Sequence, residues 1–282
     1  MALQERTPDT APVAVPDTTA EWRGGSIRAQ LWVLTGRQIR SMYGDTRLAL
    51  FSLLQPLIML LLLSEIFGSM ANRDDFPHGV RYIDYLVPAL LVTTGIGSAQ
   101  GAGVGLVKDM DNGIVARFRV LPTRLPLVLV ARSLADLLRV FTELLVLLAC
   151  GTVFFGFRPS GGVLGTAAAL LLTVFVIWSL IWCFIALAAW LRSVEVMSSI
   201  AVLVMFPLMF ASSAFVPLKG LPEWLQVVAK VNPVTYAVDG SRRLALGWDL
   251  GLGVLGALGT SALLLALAGF VAAKCFQRAP NA

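Results

Sequence analysis

Six apolar runs, each of about 20 residues or more, recur along this chain, over residues 48–67, 85–107, 137–157, 163–191, 196–216 and 252–276. A helix of that length crosses the ~30 Å hydrocarbon core of a bilayer, and in lipid only helices and closed barrels satisfy their own backbone. The pattern predicts an all-α membrane protein with six transmembrane helices. The chain is 57% hydrophobic and 14% charged, where soluble domains carry roughly 25% charged residues. Its 22 Lys and Arg against 17 Asp and Glu are scattered between the runs rather than gathered in a patch, which argues against nucleic acid as a partner. They report topology instead. Fifteen of the 22 fall on the side of the N-terminus and seven on the other, so both termini are expected in the cytoplasm.

The segments between the runs divide by composition. Residues 1–22, rich in Thr, Pro, Ala and Asp, hold no apolar run that could act as a signal peptide and are expected to be a disordered tail, with residues 23–282 forming one transmembrane domain. From Trp22 to Tyr43 the pattern turns helical, with Ile27, Leu31 and Leu34 on one face and Arg28, Arg37 and Arg40 away from it. That suits a helix lying among the headgroups, or else the solvated turns before the first span.

A charged island stands at 108–124 between the second and third runs. Asp111 or Asn112 can cap a short helix starting near Gly113, and Pro122 bars its continuation beyond Leu121. On that helix Ile114, Phe118 and Leu121 share a face while Arg117 and Arg119 point elsewhere. Either a protein partner docks on it, or it is a solvated basic loop.

Gly97, Gly101 and Gly105 recur at intervals of four on the second span, a small-xxx-small ridge that admits another helix close to its backbone, from the same subunit or a second one. The helix after the island carries Arg132, Asp136, Arg139 and Glu143 on one face with alternating sign. An unpaired charge in the membrane costs at least ~2.5 kcal/mol, so a paired ladder is expected, with a proton or ion relay as the alternative. Pro56 and Pro207 sit inside spans, where neighbours must satisfy the carbonyls they free. Residues 218–250 are amphipathic and broken by prolines; Pro222 opens one short helix, with Leu221, Leu225 and Val228 on a face, and Asn232 followed by Pro233 caps a second, both expected at the outer surface. Cys150, Cys183 and Cys275 lie far apart in apolar surroundings and His78 is the sole histidine, so no metal-ligand spacing exists.

Three motifs taken together, Asp109-x-Asp-Asn-Gly113 with Arg117-Phe-Arg-Val-Leu-Pro122, Phe215-Val-Pro-Leu-x-Gly-Leu-Pro-Glu-Trp-Leu-Gln226, and Asn232-Pro-Val-Thr-Tyr-Ala-Val-Asp-Gly-Ser-Arg242, resemble the ABC-2 family of transporter permeases, in particular its drug-resistance, daunorubicin-type export branch. The resemblance implies a bacterial plasma-membrane permease that exports a drug-like or amphiphilic substrate. Its power would come from ATP and Mg bound on a separate cytoplasmic ABC ATPase subunit, and the complex would hold a second permease copy or paralogue. It further implies that Asp109, Asp111, Asn112, Gly113, Arg117, Phe118 and Arg119 couple to the ATPase. Pro222, Trp224, Asn232, Pro233, Tyr236 and Arg242 would build the outer helices that cap the pathway. Many relatives place a glutamate-rich pair where this chain has Asp109 and Asp111. No G-x-x-x-x-G-K-[ST] motif occurs and no Gly precedes a Lys, so the chain holds no phosphate-cradling loop and is expected to bind no cofactor of its own. A proton-driven secondary transporter, leaning on Glu65 or on Arg139 and Glu143, and an ABC exporter of a lipid-linked glycan are the competing readings. A membrane scaffold or lipid-modifying enzyme is disfavoured, since no catalytic constellation appears.

Overall fold

The computed structural model describes residues 27–43, 46–70, 80–113 and 125–277. Every regular element among them is helical: α1 (Ile27–Tyr43), α2 (Thr46–Met70), α3 (Tyr82–Asp111), α4 (Leu125–Val153), α5 (Gly162–Leu191), α6 (Val194–Phe210), α7 (Glu223–Val231), α8 (Pro233–Leu246) and α9 (Gly251–Gln277), with one 3-10 turn at Leu218–Gly220. The expected tail over 1–22 and the expected short helix at 113–121, with Ile114, Arg117, Phe118 and Arg119, lie outside the described residues.

Among the described residues three helices, α3, α5 and α9, are long and apolar enough to cross a membrane. The chain is thus an all-helical, multi-pass membrane protein. At the centre, α3 lies against α5, and Leu86, Val87, Ile96, Ile177, Ile181 and Ile185 are almost wholly enclosed. Lipid is as apolar as leucine, so these helices associate through close van der Waals contact. Glycine supplies it at two places on α3. A Cβ on Gly95 would run into the Ile177 side chain, and one on Gly103 would stand 2.9 Å from the Phe184 carbonyl and 2.5 Å from the Met197 methyl. Around this pair, α9 packs on α5 and α8, α1 lies along α4, α2 touches α3 and α4, and α6 leans on α3.

Burial varies along α3. From Tyr85 to Thr93 the helix is enclosed all round, whereas Gly97, Ser98, Gly101, Gly105 and Lys108 line one open face of its second half. The two ends of α3 are fixed differently. At Tyr82 the Arg81 guanidinium grips Asp84 through two bonds of 2.8 and 3.0 Å and also donates to the Gly156 carbonyl at 2.8 Å, while Asp84 accepts from the Arg158 amide. At the other end Asn112 closes the helix through its amide to Lys108 O, and Gly113 turns the chain out at φ +69°. Asp111 and Asn112 are therefore the last turn and C-cap of α3; a left-handed conformation directly after a helix is favoured by glycine.

Three sequence expectations are corrected. The fifth apolar run was expected to be helical to Val216, but α6 stops at Phe210 and residues 211–216 are irregular. Side chains from α8 and its cap hold the carbonyls of that stretch, so it does not need helical bonds. On α1, Ile27 is exposed, and the packed face runs through Leu31, Leu34, Thr35 and Ile39, with the Thr35 hydroxyl donating to Ala131 O of α4. On α7 the packed face passes through Leu225 and Ala229, leaving Val228 exposed.

Candidate functional site

The open face of α3 forms the floor of a half-open cleft of about 560 Å³, walled by α2, α4, α6 and Phe215. All three ridge glycines, Gly97, Gly101 and Gly105, lie on that floor. Gly97 has nothing within 4 Å of where a Cβ would stand, while Gly101 lies under the Arg139 guanidinium and Gly105 under that of Arg132. Methionines 59, 205 and 209 supply much of the apolar wall, and Thr93, Thr94, Ser98 and Gln100 add uncharged polar groups from α3.

Helical spacing puts the four ladder residues of α4 on one face, and that face crosses α3. Arg132 hydrogen-bonds Asp109 at the end of α3, stands 3.7 Å from Asp136, and reaches the Ala102 carbonyl at 3.5 Å. Arg139 donates to the Ser98 carbonyl at 3.1 Å and stands 3.8 Å from Glu143, whose carboxylate accepts from the Ser98 hydroxyl. Charge thus ties α4 to α3 at two levels, and the small glycines leave the room in which the guanidiniums lie. Asp109 and Arg132 belong to separate features of the sequence; their meeting was missed because helical spacing reveals partners only within one helix. The polar side chains of α3 were the available signal for the cleft.

A second cluster closes the other end. Asn232 accepts from the Val234 amide at 2.9 Å, capping α8 with Pro233 at its first position, and its amide donates at 2.7 Å to both Leu208 O and Ala211 O at the end of α6. Arg242 is buried, 2% exposed, and forms no salt bridge among the described residues. Its guanidinium donates to the carbonyls of Tyr85 at 2.8 Å, Ser213 at 2.8 Å and Ala214 at 2.7 Å, and lies 3.3 Å from the centre of the Tyr85 ring. Three of these bonds, to Ala211, Ser213 and Ala214, hold the irregular stretch that leads to Phe215 of the cleft wall, while the other two tie it to Leu208 in α6 and Tyr85 in α3. Pro222 caps α7, Trp224 is exposed, and the Tyr236 hydroxyl donates to Lys230 O at 2.8 Å, joining α8 to α7.

Among the described residues no group of three His, Cys, Asp or Glu side chains is placed to hold a metal. The cleft has room for a partly apolar molecule, with uncharged polar groups on its floor and charged ones at its side.

Residues 29–246 match the family described as ABC-2 type transporter. The chain is 32% identical over 204 residues to the daunorubicin resistance ABC transporter permease protein DrrB1 of Streptomyces coeruleorubidus, covering 71% of this chain and 70% of that protein. It is 26% identical over 231 residues, 78% of each chain, to the probable doxorubicin resistance ABC transporter permease protein DrrC of Mycobacterium tuberculosis. It is also 26% identical over 199 residues to the putative transport permease ycf38 of Porphyra purpurea, covering 70% of this chain and 67% of that one.

Proposed function

The chain belongs to the ABC-2 type transporter family, and from that premise we propose that it is the permease subunit of an exporter that moves a drug-like or amphiphilic substrate out of the cell. The ATP is hydrolysed by a separate cytoplasmic ABC ATPase, and two permease copies, identical or paralogous, form the transmembrane part. The observation that carries this reading is the family match across most of the chain, joined to a sequence with no phosphate-cradling loop. Two of the relatives are named for daunorubicin or doxorubicin resistance, which supports a drug-like substrate.

In this reading α2, α3, α4, α5, α6 and α9 are the six spans of a bacterial plasma-membrane protein with both termini in the cytoplasm. Asp109, Asp111, Asn112, Gly113, Arg117, Phe118 and Arg119 take the push from the ATPase, and the Arg132 bond to Asp109 passes movement at that end of α3 to α4. The cleft along Gly97, Gly101 and Gly105 is the substrate's path, and α7 and α8 cap its far end.

The test is transport into inverted membrane vesicles holding this chain together with an ABC ATPase subunit from the same genome. Uptake of a fluorescent amphiphile should require ATP and both subunits, and should vanish when the ATPase's phosphate-binding lysine is replaced. Uptake by this chain alone, driven by a pH gradient and indifferent to ATP, would overturn the reading in favour of a proton-driven transporter.

A further inference from the structure

We infer that the cleft takes an anionic amphiphile, its phosphate or carboxylate head against Lys108 and Arg139 and its apolar body along the glycine floor facing Met59, Met205 and Met209. The inference rests on the export reading for its biological use but stands on the cleft for its chemistry.

The charges decide the sign of the head. Three charged side chains line the cleft, Lys108, Arg139 and Glu143, and behind them lie Arg132, Asp109 and Asp136. The six sum to zero, so what matters is which of them a ligand can reach. The Glu143 side chain is 7% exposed and already accepts from Ser98 beside Arg139, and that of Asp136 is 4% exposed. Asp109 keeps 25% of its side chain exposed, but its carboxylate is taken by the bond from Arg132. Arg139 keeps 29% of its side chain exposed, and Lys108 is exposed with no carboxylate partner among the described residues. A cationic ligand would have to displace Ser98 or Arg139 from Glu143, leaving a buried group unsatisfied. An anionic head adds to cations already there and breaks nothing.

The gradient along the cleft decides the rest. Lys108 stands near the end of α3, and Leu90 and Phe215 line the cleft farther along. Eighteen residues of helix separate Lys108 from Leu90, roughly 27 Å, about the length of an extended lipid chain with its head. Between them Gly97 presents a floor free of any side chain, Gly101 lies under the Arg139 guanidinium offered to the head, and methionine thioethers adapt to irregular apolar shapes. Such a ligand comes from either of two sources, a membrane phospholipid or a soluble amphiphile.

The experiment uses the full chain in phosphatidylcholine nanodiscs, with no ATPase and no nucleotide, and two radiolabelled probes of equal chain length, dodecyl phosphate and dodecyltrimethylammonium. Dodecyl phosphate should bind saturably and about tenfold more tightly, and Lys108→Gln should weaken it about tenfold, as loss of a charged hydrogen bond predicts. Gly97→Leu, whose new side chain meets open space in the monomer, should block the probe without lowering the thermal midpoint. Doping the discs with phosphatidylglycerol separates the sources: displacement of the probe assigns the seat to a lipid headgroup, and undiminished binding assigns it to a soluble amphiphile. Equal or tighter binding of the trimethylammonium probe, or an unchanged Lys108→Gln, overturns the inference while leaving ATP-driven export untouched. Failed export with preserved anion binding overturns only the export reading.

Discussion

Arg242 shows how much one side chain can hold in a membrane protein. Its planar fork satisfies three carbonyls from two separate parts of the chain, and a stacked phenol ring stands in for the missing counter-charge. Arg242→Ala would leave Ser213 O and Ala214 O without these donors in a dry place, at a cost of roughly 3 kcal/mol or more. The purified variant should show a thermal midpoint lowered by several degrees, and Arg242→Lys should rescue little of it, because one ammonium on a flexible stem cannot span three acceptors in a plane. Full rescue by lysine would mean that charge alone matters there. The sequence singled out Arg242 through a family motif but said nothing of what it touches: its acceptors lie as far away as Tyr85, and backbone carbonyls leave no trace in a pattern of side chains.

At the scale of the helix, glycine spacing is ambiguous in a way that only packing resolves. Gly97, Gly101 and Gly105 form the regular series the eye finds, yet within this chain they face the cleft, while the wider pair Gly95 and Gly103 brings α3 against its neighbours. Gly103→Ala should therefore destabilise the protein by about 1–3 kcal/mol, since the Phe184 carbonyl is backbone and cannot swing aside. Gly97→Ala should leave the thermal midpoint unchanged. If the two variants melt alike, the packing around α3 is not as described. Most helices were legible because an apolar run long enough to span a bilayer has few alternatives. The end of α6 was not legible, since residues 211–216 are as apolar as a span requires and become irregular only because Asn232 and Arg242 replace the lost bonds. The cleft was half legible: its polar residues and its ladder could be read, but the contact of Arg132 with Asp109 joins two helices whose relative position no spacing gives.

Over the whole molecule the ladder of α4 and its Asp109 partner lie toward Lys108 and the capping side chains toward Arg242, and this polarity frames the remaining tests. With the three native cysteines replaced by alanine, a single cysteine at Asn112 should react with a membrane-impermeant thiol reagent only from the cytoplasmic side, and one at Glu223 only from outside; both residues are exposed. The reverse pattern would invert the proposed topology. Phe118→Asp should leave membrane insertion and protein amount intact yet abolish co-purification of the ATPase and ATP-dependent export, because a charge in a dry contact costs several kcal/mol. Retained export with a bound ATPase would refute docking through that residue. The clasp at Arg242 also has a consequence for biogenesis. Ser213 and Ala214 leave the ribosome well before Arg242, and Ser160 and Gly161 wait longer still for Leu246 and Ala245, the carbonyls they donate to. Until α8 emerges, Ala214 O and the Gly161 amide lack the partners that Arg242 and Ala245 give them. A nascent chain halted before Arg242 should therefore be recognised as unfinished by membrane proteases even though five of its six proposed spans are already in place.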